Sequence, residues 1–325
     1  MDKTASGNNF SFGGFFRDYG ALVGIVALLI IFNFIDHRFL APANVWGVFQ
    51  SSSFLILMAL GMTLAMSVRG IDLSIAQVAD AAGVIAAYLI IHGHSAVSAL
   101  IIGILFGILI GAVNAILMAY LGVTALIGTL GQMFIIRSFE LVLTNGAQPQ
   151  MLFTLSRKLT APFLAIGQGK IGPVPISLII CIAACIFIYL LKERSVLGRH
   201  MDAICSNVKA SFLSGIDVRV TFAAAFFIAS ILAAFSGMML TARAGGATPR
   251  AVESYLNDCF VAVYVGTLLS KKRKFNVIGT VVGCLFVGFI SNFFTLLGLG
   301  NGIKQLCNGF FIIAAVAFGA VRREK

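Results

Sequence analysis

The sequence predicts an all-α fold, a polytopic transmembrane helical bundle of about ten spans with both termini in the cytoplasm. Three observations predict it. Of 325 residues, 59% are hydrophobic and only 11% charged, whereas ordinary soluble domains hold about 25% charged residues. Several apolar stretches reach the roughly 20 residues that cross a hydrocarbon core. The basic residues also fall mostly on one side of those stretches. A soluble globule is excluded, because there is too little polar surface to coat one.

Residues 1–18 are polar and hold no apolar run with a small-residue cleavage site, so they read as a short cytoplasmic tail rather than a signal peptide. Spans follow at about 19–35, 47–68, 74–91, 96–121, 124–143, 174–191, 220–241, 258–270, 275–295 and 303–321. They form one membrane domain over 19–321, closed by a short cytoplasmic tail at 322–325. With an even number of spans and the termini inside, the interior holds fifteen Lys and Arg residues and the exterior seven, with Arg137 inside a span. Positive charge collects in cytoplasmic loops, which fixes this orientation. The net charge of +11 therefore reports topology beside a lipid bilayer and not nucleic-acid binding.

Segment 258–270 is short for a perpendicular span and reads as a half-helix or re-entrant element, with Asn257 and Asp258 capping its outer end. The exterior loop at about 144–172 is either a lid, a partner contact or a plain connector. Gly103, Gly107 and Gly111 before Asn114 echo Gly279, Gly283 and Gly288 before Asn292. Small residues at such spacing let helix backbones approach closely. The six cysteines show no metal-ligand pairing and predict no disulfide framework.

A polar segment interrupts the greasy chain at about 192–219. It reads as two short helical turns hinged at Ser206-Asn207, because Asn is a strong helix N-cap. Asp72, just ahead of Ser74, is placed to satisfy the free N–H groups of the third span. Inside the spans, ionisable residues are costly and face a cavity or a partner. Arg137 and Glu140, three apart on one helix, can pair. Gln77 and Asp80, with Asn114, offer a polar face that either lines a translocation path or acts as interhelical glue.

Three stretches in order resemble the permease subunits of bacterial ABC importers of the ribose, arabinose, xylose and galactose type. They are Leu60-Gly61-Met62-Thr63-Leu64 leading into Gly70-Ile71-Asp72-Leu73-Ser74; Ile127-Gly128-Thr129-Leu130-Gly131 with Ile136-Arg137 and Leu141-Val142-Leu143-Thr144; and the polar segment. In the last, Gly198, Arg199, Ala203, Ile204, Asn207 and Ser214-Gly215-Ile216 match the family pattern. The resemblance runs from about residue 45 to 320. It implies a permease dimer around one path, with a second permease subunit either identical or related. It also implies cytoplasmic ATP-binding subunits docked on Gly198 to Gly215 and a periplasmic binding protein that delivers a sugar. The setting it implies is the bacterial inner membrane.

The chain departs from that pattern at Arg69, where glycine is usual, and at Cys205-Ser206, which replace a glycine pair. Glu140 and Asp80 also differ from it. Lys271-Lys272-Arg273-Lys274 stand in a turn usually rich in glycine, and would hold that end against an anionic inner surface. No G-x-x-x-x-G-K-[ST] signature occurs, since Gly169-Lys170 lacks the preceding glycine. The four histidines lie in loops or at span ends, and no nucleophile–base set emerges. The expected function is thus a non-enzymatic transport subunit without a cofactor, moving a monosaccharide or similar small polar solute by ATP-driven alternating access. A proton-coupled secondary transporter using Asp80 or Arg137–Glu140 is the alternative.

Overall fold

The computed structural model describes residues 12–269 and 274–321. The chain runs through α1 (Phe12–Ile35), α2 (Pro42–Met66), α3 (Ile75–Ile91), α4 (Ala96–Ala115, extended by a wide π-type turn Ile116–Tyr120) and α5 (Ala125–Leu143). Then come β1 (Gln150–Met151), α6 (Arg157–Gln168), β2 (Lys170–Ile171), β3 (Val174–Pro175) and α7 (Ile176–Tyr189), which ends in a second π-type turn at Leu190–Arg194. Next are α8 (Val196–Ser206), α9 (Val208–Leu213), α10 (Val218–Ala244) and β4 (Gly246–Ala247). The chain closes with α11 (Glu253–Leu268), α12 (Val277–Leu296) and α13 (Asn301–Val321). The fold is mostly helical, as expected.

Each expected apolar segment falls on a helix. Among the described residues, six helices are long and apolar enough to cross a membrane on length and composition: α2, α4, α5, α7, α10 and α12, with α4 and α7 counted together with their π-type turns. The first helix starts at Phe12, so part of the expected tail is helical. Residues 1–11, the 322–325 tail and the basic residues 271–273 lie outside the described residues.

Local sequence sets the helix ends. Pro42 opens α2, where its missing N–H and fixed φ cost nothing. Ser95, Asp217 and Asn276 cap α4, α10 and α12 by accepting from Ser98 N, Val220 N and Gly279 N. Gly245, at φ 76°, ends α10 in the left-handed conformation that favours glycine.

The centre of the bundle is α2, α3 and α10. Every residue of α2 from Ser52 to Met66 is buried, as is nearly all of α3. The outer helices instead present Leu105, Leu109, Ile127, Ile182 and Ile186 on the surface. Lipid tails are as apolar as these side chains, so their exposure carries no penalty in a bilayer.

Glycine makes the central contacts possible. Gly103, Gly107 and Gly111 of α4 lie against α10 at Met238, Ala234 and Phe227. Gly279 and Gly283 of α12 lie against α11 at Gly266 and Ala262. The two stripes are packing seams, and each ends in an asparagine that bonds a further helix. Asn114 donates to Ser74 Oγ at 3.2 Å, and Asn292 exchanges amide bonds with Asn44 at 2.8 and 2.9 Å. The tightest approach is α10 on α3, where a Cβ at Gly237 would overlap the Ala79 carbonyl. Gly237→Ala should therefore destabilise the chain by about 1–3 kcal/mol, read as a lowered unfolding temperature in detergent. Gly131→Ala, where nothing lies within 4 Å of the new Cβ, should show no such loss.

The long loop at about 144–172 carries structure of its own. It contains α6, whose Gly167 packs on the α10 backbone at Met239, Ala242 and Arg243. Gln168 Nε2 donates to the carbonyls of Ala242 (3.0 Å) and Arg243 (3.1 Å). Strand β1 pairs antiparallel with β4, Gln150 opposite Ala247. The loop is thereby tied to the segment between α10 and α11.

The short eighth segment is longer than expected, since α11 spans 16 residues from Glu253. Asn257 and Asp258 consequently lie inside the helix rather than capping it. Asp258 is buried and accepts from Lys304 Nζ (2.8 Å) and Asn308 Nδ2 (2.5 Å), joining α11 to α13.

Candidate functional site

The polar segment forms the expected two helices with a hinge at Asn207. Ser195 caps α8 through Gly198 N, and Asn207 caps α9 through Ala210 N at 3.0 Å. Gly215, at φ 80°, makes the turn out of α9 after Ser214. Within α8, Met201 and Ile204 are fully buried while Arg199 is exposed and Ala203 half-buried. Gly198 is seated on the Lys192 carbonyl with no room for a Cβ. On α9 the pattern reverses, leaving Phe212 (68% exposed) and Leu213 (76% exposed) uncovered beside Lys209.

Charged contacts fix α8 and the turn before it to the bundle. Buried Lys192 pairs with Asp202, whose second oxygen takes Lys274 Nζ at 3.0 Å. Glu193 Oε1 accepts from Val277 N at 3.3 Å, the start of α12. Arg69, at φ 62°, donates from Nε to Cys205 O and from Nη2 to Ser206 O, both at 2.7 Å. A cation over the carbonyl end of a helix is favourably placed. The two departures from the expected pattern, Arg69 and Cys205-Ser206, thus meet in one contact. Arg69→Gly keeps the left-handed turn and removes both bonds. Amide exchange in the last turn of α8 should then speed up by roughly three- to tenfold; unchanged exchange would show that the contact holds nothing.

The start of α3 carries a second polar group. Asp72 Oδ1 accepts from Ser74 N (2.9 Å) and Ser74 Oγ (2.6 Å), and so organises this helix end. Asn114 joins it through Ser74. Thr129 of α5 accepts from Leu73 N at 3.0 Å and donates to Ile71 O at 3.1 Å.

Further along α3, Asp80 lies toward a charged cluster, with Gln77 one turn earlier on the helix. Asp80, 6% exposed, lies beside the backbone N–H groups of Arg250 and Val252. Arg250 has φ 71°, a strained conformation for a side-chain-bearing residue that a buried carboxylate holds in place. Glu140, on α5, sits within electrostatic reach of Asp80 and Glu253. The expected Arg137–Glu140 pair along the helix is not the one that forms. Arg137 Nε instead lies 3.5 Å from Glu253 Oε1 at the start of α11, and Arg250 Nε lies 3.3 Å from the same oxygen. Glu140 Oε1 is buried and has no hydrogen-bond partner, as is Gln77 Oε1.

The structure thus brings Asp80, Arg137 and Glu140 to one region, with Gln77 one turn before Asp80 on α3, and leaves Asn114 at the start of α3. Sequence reasoning missed Glu253, Arg250, Lys192 and Asp202. The i,i+3 spacing of Arg250 and Glu253 was a readable signal; the Lys192–Asp202 pairing, between separate elements, had none.

A family model described as "Branched-chain amino acid transport system / permease component" matches residues 44–316. The chain belongs to this family. The permease is also similar to ribose import permease proteins of Bacillus subtilis and Haemophilus influenzae. The first is 30% identical over 305 residues, covering 94% of this chain and 93% of the relative. The second is 29% identical over 310 residues, covering 95% of each. The D-allose transport system permease protein of Escherichia coli is 30% identical, over 95% of this chain and 93% of its own. No solved structure matches the permease. It is a multi-pass membrane protein and a transport component rather than an enzyme, in agreement with the resemblance seen in the three motifs.

Proposed function

We propose that this permease is the membrane subunit of an ATP-driven importer in a bacterial inner membrane, moving a monosaccharide or similar small polar solute by alternating access. It crosses the bilayer ten times with both termini in the cytoplasm, α8 and α9 lie on the cytoplasmic side, and ATP-binding subunits dock there. Gly198, Arg199, Ala203, Ile204, Asn207, Ser214 and Gly215 build that coupling segment. Gln77, Asp80, Asn114, Arg137 and Glu140 belong to the path, which a second permease subunit completes and a periplasmic solute-binding protein supplies.

The observation that carries this reading is the α8–α9 pair. One helix buries Met201 and Ile204 and is pinned at both ends, while the next exposes Phe212 and Leu213. An apolar patch rimmed by charge on an otherwise anchored loop marks a protein contact. The full-length similarity to ribose and allose permeases supports the solute class.

The test is reconstitution. The permease should co-purify with an ATP-binding protein, and proteoliposomes holding both should take up solute only with ATP and binding protein. Uptake by the pure chain under a proton gradient, with no ATPase present, would overturn the proposal.

A further inference from the structure

We infer that the charged cluster takes a solute that carries a protonated amino group beside its hydroxyls, an inference that rests on the importer reading above.

Carboxylates from three separate helices converge there: Asp80 of α3, Glu140 of α5 and Glu253 of α11. Two guanidiniums face them, and both are spent on one acid. Arg137 and Arg250 each lie within 3.5 Å of Glu253 Oε1. Among the described residues, no cation stands within ion-pair distance of Asp80 or Glu140. Asp80 lies beside the backbone N–H groups of Arg250 and Val252, which supply no countercharge. Glu140 is 2% exposed with Oε1 unpartnered, and Gln77 Oε1, one turn from Asp80 and 5% exposed, is unpartnered as well.

Two buried acceptors without donors, among three carboxyl groups that face only two guanidiniums, describe the complement of an ammonium group. Ammonium has three donors, no acceptor and the missing charge. A hydroxyl satisfies an oxygen but leaves the acid uncompensated, and an uncompensated charge at membrane depth is costly. The acidic side chains therefore select the amino-bearing solute, and Gln77 Oε1 accepts from a neighbouring hydroxyl.

The probes are D-glucosamine and D-glucose, which differ by an amino group in place of a hydroxyl. Binding is measured on the full chain in lipid nanodiscs, without ATP, and uptake on the complete importer in proteoliposomes. D-glucosamine should bind at least about tenfold more tightly, and Glu140→Gln should bring the two to parity. Should Glu140→Gln fail to fold, Glu253→Gln at the exposed rim should still narrow the preference. Equal binding, tighter binding of D-glucose, no binding of D-glucosamine, or a preference that survives Glu140→Gln would each overturn the inference. ATP-driven uptake of D-glucose by the same proteoliposomes would then leave the importer reading standing. A binding preference without ATP-driven uptake of either sugar would count against the importer reading alone.

Discussion

Gly198→Ala should abolish ATP-coupled solute uptake, with a loss of at least about tenfold, while the chain still inserts and folds. The added Cβ has to overlap the Lys192 carbonyl, which is backbone and cannot swing aside. Relief requires α8 to move off the π-type turn below it, at about 1–3 kcal/mol. That is a small fraction of what holds a membrane bundle together, yet it displaces the helix on which the proposed docking surface is built. A shift of an ångström or so is enough to misplace an interface packed at protein-interior density. Uptake by the complete importer, together with co-purification of the ATP-binding subunit, measures the effect. Wild-type uptake in Gly198→Ala would remove α8 from the coupling role. The same substitution at Ala203, half-buried on the next turn, should act only when the new side chain is bulky, as in Ala203→Trp.

Asp202→Ala should be the most destabilising single change on this side of the molecule, at about 3 kcal/mol. Lys192 is buried to 1% side-chain exposure and Asp202 is its ion-pair partner, with Lys274 on the other oxygen. Removing the acid leaves a buried ammonium without its partner and frees the segment before α12 at once. The partial exposure of Asp202, at 29%, keeps the estimate at the low end of the range for broken buried pairs. The double variant Lys192→Met with Asp202→Ala should recover most of the loss, because no orphan charge remains. Thermal unfolding in detergent decides the matter. If the double variant is as unstable as Asp202→Ala alone, the cost lies in packing rather than in the charge.

What the sequence made legible was whatever short-range chemistry dictates. Asn207 forms a hinge because an asparagine side chain caps the helix that follows it, whatever lies elsewhere in the chain. The glycine seams were readable because helical spacing brings Gly103, Gly107 and Gly111 to one stripe without knowledge of the partner. Asp72 organised the start of α3 for the same local reason. Partners across the fold were not legible. For Arg137 the nearest acid in sequence is Glu140, one turn away, but the ion pair is made with Glu253, whose helix begins earlier than apolar periodicity suggests. Charge in the first turn of α11 hid that start, since a hydropathy window drops such residues from the span. Arg69 and Cys205-Ser206 stood out as separate oddities, and only the fold puts their atoms in contact. Asn114 shares a stripe with glycines, and only the fold shows that its amide N–H reaches Ser74 Oγ at the start of α3.

Helix α10 begins at the Asp217 cap, next to α9, and ends at Gly245, where the chain turns into the loop whose N–H groups hold Asp80. It is one unbroken rod of 27 residues, about 40 Å long. Its closest contact along that length is Gly237 on Ala79, roughly 28 Å from one end and 10 Å from the other. A rod gripped there is a lever with unequal arms. A 3 Å sideways push at the α9 end would emerge at the far end as a movement of about 1 Å in the opposite sense, on the scale of a hydrogen bond. Gearing of this kind trades a coarse motion at the surface for a fine one among the acids.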